Sequence, residues 1–256
     1  SYAIVTYPAD REEFEGLPPN FELHAYERSD AALWDQVAFP LYLRKLKADL
    51  YHIPLNVVPL HMPTPYVVTI HDMSNLFFEE PGRRRRSRRY QFRRGLQRAA
   101  RVIAVSGATR RDVEDLFNLD PSKIRQIYNA PDPAFLDVAP EKLARDRRIV
   151  LERYQIHYPF LLYAGTIRPQ KNIPRLVEAF AVLRGEMENH PVYGGLRLII
   201  IGDEISRHPA VRRTVAQTRM EQAVRFLGFV PRDTLHAFYA AASAFVFPSL
   251  YEGCGL

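Results

Sequence analysis

The sequence predicts an α/β protein made of two Rossmann-like units. Three observations lead there. Short β-branched runs alternate with helical periodicities, the mark of parallel strands joined by crossover helices. The alternation breaks once, over residues 129–159, and then restarts. The chain has 256 residues, 47% of them hydrophobic, which is enough for one large core or two smaller ones.

In the first stretch, strands are predicted near residues 2–6, 49–53 (DLYHI), 66–70 (YVVTI), 101–105 (RVIAV) and 124–128. Helical patterns fill gaps at about 31–47, 86–99 and 107–117. Ser106 suits the N-cap of the last of these, because its hydroxyl can accept from a free amide in the first turn. The alternation implies right-handed crossovers onto a parallel sheet. Residues 129–159 hold Asn129, Pro131, Asp132, Pro133 and Pro140, and read as a linker with a short helix near 141–153. Strands then recur near 160–164 (FLLYA), 197–201 (RLIII), 224–227 (VRFL) and 244–247 (AFVF). Ile173, Leu176, Val177, Phe180 and Leu183 give one apolar helix face. Leu235, Phe238, Tyr239 and Ala242 give another, while Asn172 and Pro174 suit a first turn. The expected domains are therefore 1–140 and 160–256, joined by 141–159.

Composition excludes several classes. No apolar run reaches the roughly 18 residues of a membrane-spanning helix. The single cysteine, Cys254, rules out an internal disulfide and argues for a reducing, cytoplasmic setting. The net charge of +6 is local: Arg83, Arg84, Arg85, Arg86, Arg88, Arg89, Arg93 and Arg94 outweigh it by themselves. On a helical projection these arginines spread around the axis, whereas Phe92, Leu96 and Ala99 share one face. Such a run can be a solvated face or an electrostatic contact for an anionic membrane. No stacking platform or nucleic-acid motif accompanies it, so nucleic acid is not the expected partner.

Two segments carry chemistry. Tyr163-Ala-Gly-Thr-Ile-Arg-Pro-Gln-Lys-Asn172 runs from a strand through Gly165 to a helix start, with Arg168 and Lys171 flanking that start. Free helix amides, the helix dipole and two cations suit a phosphate there. A solvated loop with its own capping cations explains the same residues. The second segment, Ser249-Leu-Tyr-Glu-Gly-Cys-Gly-Leu256, follows a strand and brings Glu252 and two glycines to a parallel-sheet edge, where ligands bind. Glycine there lets backbone amides approach a phosphate or sugar.

With YAGTIRPQKN, LIIIGDE and VRFLGFVPRDTLHAFYAAASAFVFPSLYEGCGL in that order, the second half resembles the family 4 retaining glycosyltransferases of the GT-B fold. The first half is similar more loosely, through LYHIPLNVVP, VTIHD and the strand ending at Ser106. The resemblance implies two Rossmann-like domains facing a cleft. It also implies transfer of a sugar from a nucleoside-diphosphate sugar, UDP- or GDP-linked, to an acceptor hydroxyl, with no further cofactor required. Arg168 and Lys171 would bind the diphosphate, with Gly165 and Asn172 shaping their turn. Glu252 and the Gly253, Cys254 and Gly255 backbone would hold the sugar. The stretch around Phe229 and Val230 would lie by the base. His71, supported by Asp72, would sit near the acceptor, which the resemblance makes a glycan or lipid-linked sugar at the inner membrane face. His71 and Asp72 also fit a plain strand-end turn.

Departures from the family pattern accompany the match. Gly16 is the only glycine before Gly82, so the family's N-terminal glycine loop is not found. A second glutamate expected eight positions after Glu252 lies past Leu256. Both units are therefore expected to be incomplete. His52, His61, His71 and Asp72 match no common zinc spacing, and no metal site is assigned. Cys254 stands where the family carries an aromatic residue and reads as a space-filler rather than a nucleophile. Two further readings stay open: a non-catalytic nucleotide- or partner-binding module, and a phosphate-ester enzyme of the same two-domain shape.

Overall fold

The computed structural model describes residues 1–27, 32–54, 58–78, 82–136 and 138–255, without the side chains of 32–35, 84 and 134. The start of the helix predicted at residue 31 and the centre of the LYHIPLNVVP segment lie outside the described residues. The chain divides into two units, the first made of Ser1–Asn129 and Gly253–Leu256, the second of Ala130–Glu252.

In the first unit, β1 (Tyr2–Thr6) pairs in parallel with β2 (Phe21–Ala25) as a separate two-stranded sheet. Helix α1 (Ala32–Lys45) leads to β3 (Tyr51–Ile53) and β4 (Tyr66–Ile70). After the single turn α2 (Ser74–Phe77) comes α3 (Arg83–Arg98), then β5 (Arg101–Ala104), α4 (Gly107–Phe117) and β6 (Ile124–Gln126). The four strands lie in the order β3-β4-β5-β6, all parallel. The first predicted strand is thus not a member of the main sheet.

Helix α3 shows how packing overrides local electrostatics. Its first turn is arginine-rich, carries no acidic residue and lacks a side-chain cap, so its charges oppose the macrodipole. Phe92, Leu96 and Ala99 are each at most 2% exposed, and this buried stripe anchors the helix. Helix α4 is the opposite case. The Ser106 hydroxyl accepts from the Thr109 amide at 3.1 Å, as its sequence position predicts. Ser106→Ala is expected to cost about 1 kcal/mol. Urea unfolding of the two proteins would measure it.

The second unit opens with α5 (Pro140–Arg153), followed by β7 (Phe160–Gly165), α6 (Ile173–Glu186), β8 (Arg197–Gly202), α7 (Pro209–Gln217), β9 (Val224–Gly228), α8 (Arg232–Ala241) and β10 (Ala244–Phe245). The sheet order is β10-β7-β8-β9, again parallel. Strand β8 is buried on both faces, which explains its unbroken apolar run. Leu198 and Ile200 join α6 and α7 through Leu176, Val177, Phe180, Val211 and Val215. Ile199 and Ile201 join α5 and α8 through Val150, Ala237 and Phe238.

The stretch expected to be a linker belongs to this second unit. Val150 and Ile156 enter its core. Upstream, Asp132 pairs with Arg232 and the Phe135 ring meets His236 edge-on. These contacts draw the boundary back to Ala130, because a proline-rich sequence does not reveal what its side chains will bury against.

Candidate active site

The order β10-β7-β8-β9 contains one reversal. The chain leaves β7 through α6 on one face, and reaches β10 through α8 on the other. The helices therefore diverge between β7 and β10 and leave a crevice at the carboxyl ends of those strands, the place where open α/β sheets bind ligands. The order β3-β4-β5-β6 of the first unit has no such reversal.

Both sequence motifs of the second unit meet at that crevice. The turn after β7 is stitched to the segment after β10 by three bonds. The Leu250 amide donates to the Gln170 carbonyl at 2.8 Å. The Asn172 side-chain amide donates to the Pro248 carbonyl at 3.4 Å. The Lys171 ammonium donates to Glu252 Oε1 at 2.5 Å, with side chains only 16% and 28% exposed. Asn172 adopts a left-handed conformation, φ 58°, which lets the chain leave the Pro169–Lys171 turn and enter α6. Arg168 is exposed and, among the described residues, has no side-chain hydrogen bond or ion pair. The crevice thus carries one exposed cation and one cation held by a carboxylate.

The glycine that ends β7 has a structural partner. Gly165 pairs in register with Gly202 at the end of β8, and both have φ +150°. A Cβ on Gly202 would overlap the Gly165 carbonyl oxygen. Behind the turn, Tyr163 is fully buried and donates to the Thr166 carbonyl at 3.0 Å. Burial, reinforced by the Glu252 and Asp203 charges, holds its phenol above the ordinary range. The stability tied to that proton is present below the unfolded phenol's pKa, about 10, and is lost as pH rises past it.

The first unit holds the other predicted residues. His71 follows β4, and its Nε2 lies 3.1 Å from the Pro54 carbonyl oxygen. Asp72 accepts from the Ser74 amide at 2.9 Å and the Ser74 hydroxyl at 2.7 Å, so it caps the α2 turn. Gly253 is buried, and a Cβ there would overlap the His71 carbonyl oxygen. The Thr109 hydroxyl lies 3.2 Å from the Gly253 carbonyl oxygen. Only glycine fits between His71 and Thr109. Cys254 is exposed, so it does not fill interior space as its sequence position suggested. His52 Nε2 is engaged at 2.8 Å with the Thr69 hydroxyl, and among the described residues no cluster of three or more His, Cys, Asp or Glu could hold a metal ion.

The sequence profile described as Glycosyltransferase Family 4 matches residues 2–135, and that of Glycosyl transferases group 1 matches residues 152–256. The chain belongs to glycosyltransferase family 4. The chain is 32% identical over 217 residues to O-antigen chain mannosyltransferase B of Escherichia coli, covering 84% of the chain and 54% of that relative. It therefore spans about half the length of the curated relative. Its fold matches that of WaaG, a glycosyltransferase involved in lipopolysaccharide biosynthesis, with a TM-score of 0.71 at 16% identity, covering 93% of this chain and 65% of the other. It also matches Anabaena HepE in complex with UDP-glucose, with a TM-score of 0.62 at 19% identity, covering 90% and 60%. The fold is thus GT-B-like α/β, as the resemblance implied.

Two placements in this chain were not legible in the sequence. Val230 lies in the core with Phe238, only 4% exposed, whereas its neighbour Phe229 is 88% exposed. Asp203, inside the quoted LIIIGDE, was not singled out. Its carboxylate accepts from the Ile167 amide at 2.7 Å and so fixes the turn that carries Arg168. The signal available was an acidic residue just past a parallel strand. Asp203→Ala is expected to cost about 1–2 kcal/mol of stability and to weaken nucleotide binding as the turn loosens. Calorimetry with UDP and GDP, beside a melting curve, checks both.

Proposed function

We propose that this chain transfers a sugar, specifically mannose, from a nucleoside-diphosphate sugar to an acceptor hydroxyl with retention at the anomeric carbon. The observation that carries the reading is the Lys171–Glu252 pair at the crevice between β7 and β10, 2.5 Å from nitrogen to oxygen. Breaking the bond to the diphosphate builds negative charge on its oxygens. Arg168 and Lys171 would stabilise that charge, Arg168 as an exposed cation and Lys171 as an ammonium that turns from Glu252 to the phosphate. Glu252, once the ammonium turns to phosphate, is left to accept from sugar hydroxyls. Gly165 and Asn172 shape the turn, and the reading assigns the Val230 backbone to the base. For the first unit, the reading assigns His71 to the acceptor, with Asp72 supporting its turn.

The name of the E. coli relative, an O-antigen chain mannosyltransferase, supports mannose and a glycan-chain acceptor. The UDP-glucose complex of the Anabaena neighbour supports a nucleotide-sugar donor, UDP or GDP. The decisive experiment incubates the protein with UDP-, GDP- and ADP-mannose and the matching glucose donors. Release of one nucleoside diphosphate, with an α-linked product from an α-linked donor, is expected. Nucleotide binding without any turnover would favour a binding module and overturn the enzymatic reading.

The arginine-rich start of α3 supports a second proposed partner, the anionic face of a membrane. Arg83, Arg86 and Arg93 are exposed, and among the described residues no helix is long and apolar enough to cross a membrane. Binding to vesicles of phosphatidylcholine with 30% phosphatidylglycerol is expected to fall about ten- to a hundredfold when these three become glutamine. Equal binding to neutral vesicles, or tighter binding to oligonucleotides, would reject this partner.

A further inference from the structure

We propose that Phe247 is a positioning residue for the Lys171 ammonium, an inference that rests on the donor-site reading of Lys171. The Lys171 nitrogen lies 4.7 Å from the centre of the Phe247 ring. The ring's negative face attracts a cation at that distance. The ammonium is therefore held by two groups, the Glu252 carboxylate and a π face.

The two supports differ in what a ligand does to them. Glu252 is itself a ligand for the sugar in the proposed reaction, so its hold on Lys171 loosens when donor binds. Phe247 has no such competing duty, and its ring is locked. It stacks on the buried Tyr163 ring at 5.9 Å and 17°, and on Phe245 at 5.7 Å and 22°. Tyr163 is in turn fixed by its hydroxyl to the Thr166 carbonyl. A Cβ on Gly165 would sit 3.7 Å from the Phe247 ring. A lysine stem is long and flexible, and its ammonium is a point charge without the preorganised fork of arginine. A fixed ring over that ammonium supplies the missing aim. Tyr163, Phe247 and Lys171 thus form a relay from the core to the crevice.

The test weakens the ring's electrostatics while keeping its shape. Phe247 is replaced in the full chain by mono-, di- and trifluorinated phenylalanine, and UDP and GDP affinities are measured by calorimetry beside melting curves. Affinity for the preferred nucleotide, and kcat/KM with its sugar, are expected to fall stepwise with fluorine number, by about three- to thirtyfold in all. The melting temperature without ligand should stay constant. In a Lys171→Met background the series should be flat, because the cation is gone. A fluorine series without effect, while Lys171→Met alone weakens binding, would overturn the role of Phe247 and leave the donor site standing. If Lys171→Met leaves affinity unchanged, the donor-site reading itself falls, and the positioning role falls with it.

Discussion

Lys171→Met is expected to lower kcat/KM for sugar transfer by about 10²- to 10³-fold, the range for losing one preorganised charge partner of a developing anion. The loss should appear mainly in kcat, since the leaving diphosphate is more negative in the transition state than in the bound donor. Stability should change little. Glu252 is 28% exposed in its side chain and can be solvated once the lysine is gone, so about 1 kcal/mol or less is at stake. Steady-state kinetics and a melting curve on the same protein separate these effects. A variant with full turnover would remove Lys171 from the site. A collapse in melting temperature would recast the pair as structural.

Gly202→Ala is expected to destabilise the second unit by about 3–6 kcal/mol, combining backbone strain with a forced overlap. At φ +150° an L side chain is disfavoured, and here the new Cβ meets a backbone oxygen, that of Gly165, which cannot rotate away. The β7 and β8 ends would have to part where the turn to Arg168 and Lys171 begins, so nucleotide binding should be lost as well. Gly185→Ala is the control. It lies in α6 with nothing within 4 Å of the new Cβ, and helix propensity favours alanine there by up to about 1 kcal/mol. Urea unfolding of both variants gives the comparison, and equal midpoints would show that the β7–β8 crossing is looser than its geometry implies.

Local features were legible in the chain because local forces set them. The Ser106 cap, the Phe92–Leu96–Ala99 stripe and the apolar run of β8 all follow from spacing along one element. Strand β2 was missed, since Phe21–Ala25 carries Glu22 and His24 and no β-branched residue. The one-turn α2 is too short to show a period, and the Asp72 carboxylate accepts from the amide of its first residue, Ser74. The separate pairing of β1 with β2 is a nonlocal choice that neither strand's composition records.

The site divides in the same way. Sequence alone determined which polar and charged residues stand at strand ends and helix starts: Arg168, Lys171, Glu252, His71 and Asp72, with the glycines beside them. It also determined the family, through motifs in fixed order. Only the tertiary structure decided that Lys171 and Glu252, 81 positions apart, form one pair, and that Asp203 and Phe247 support the turn and the ammonium. It likewise turned Val230 inward and Cys254 outward. The physical reason is the sheet order. Pairing β10 with β7 is a long-range event, and the crevice exists only because the helices leave that pair on opposite faces.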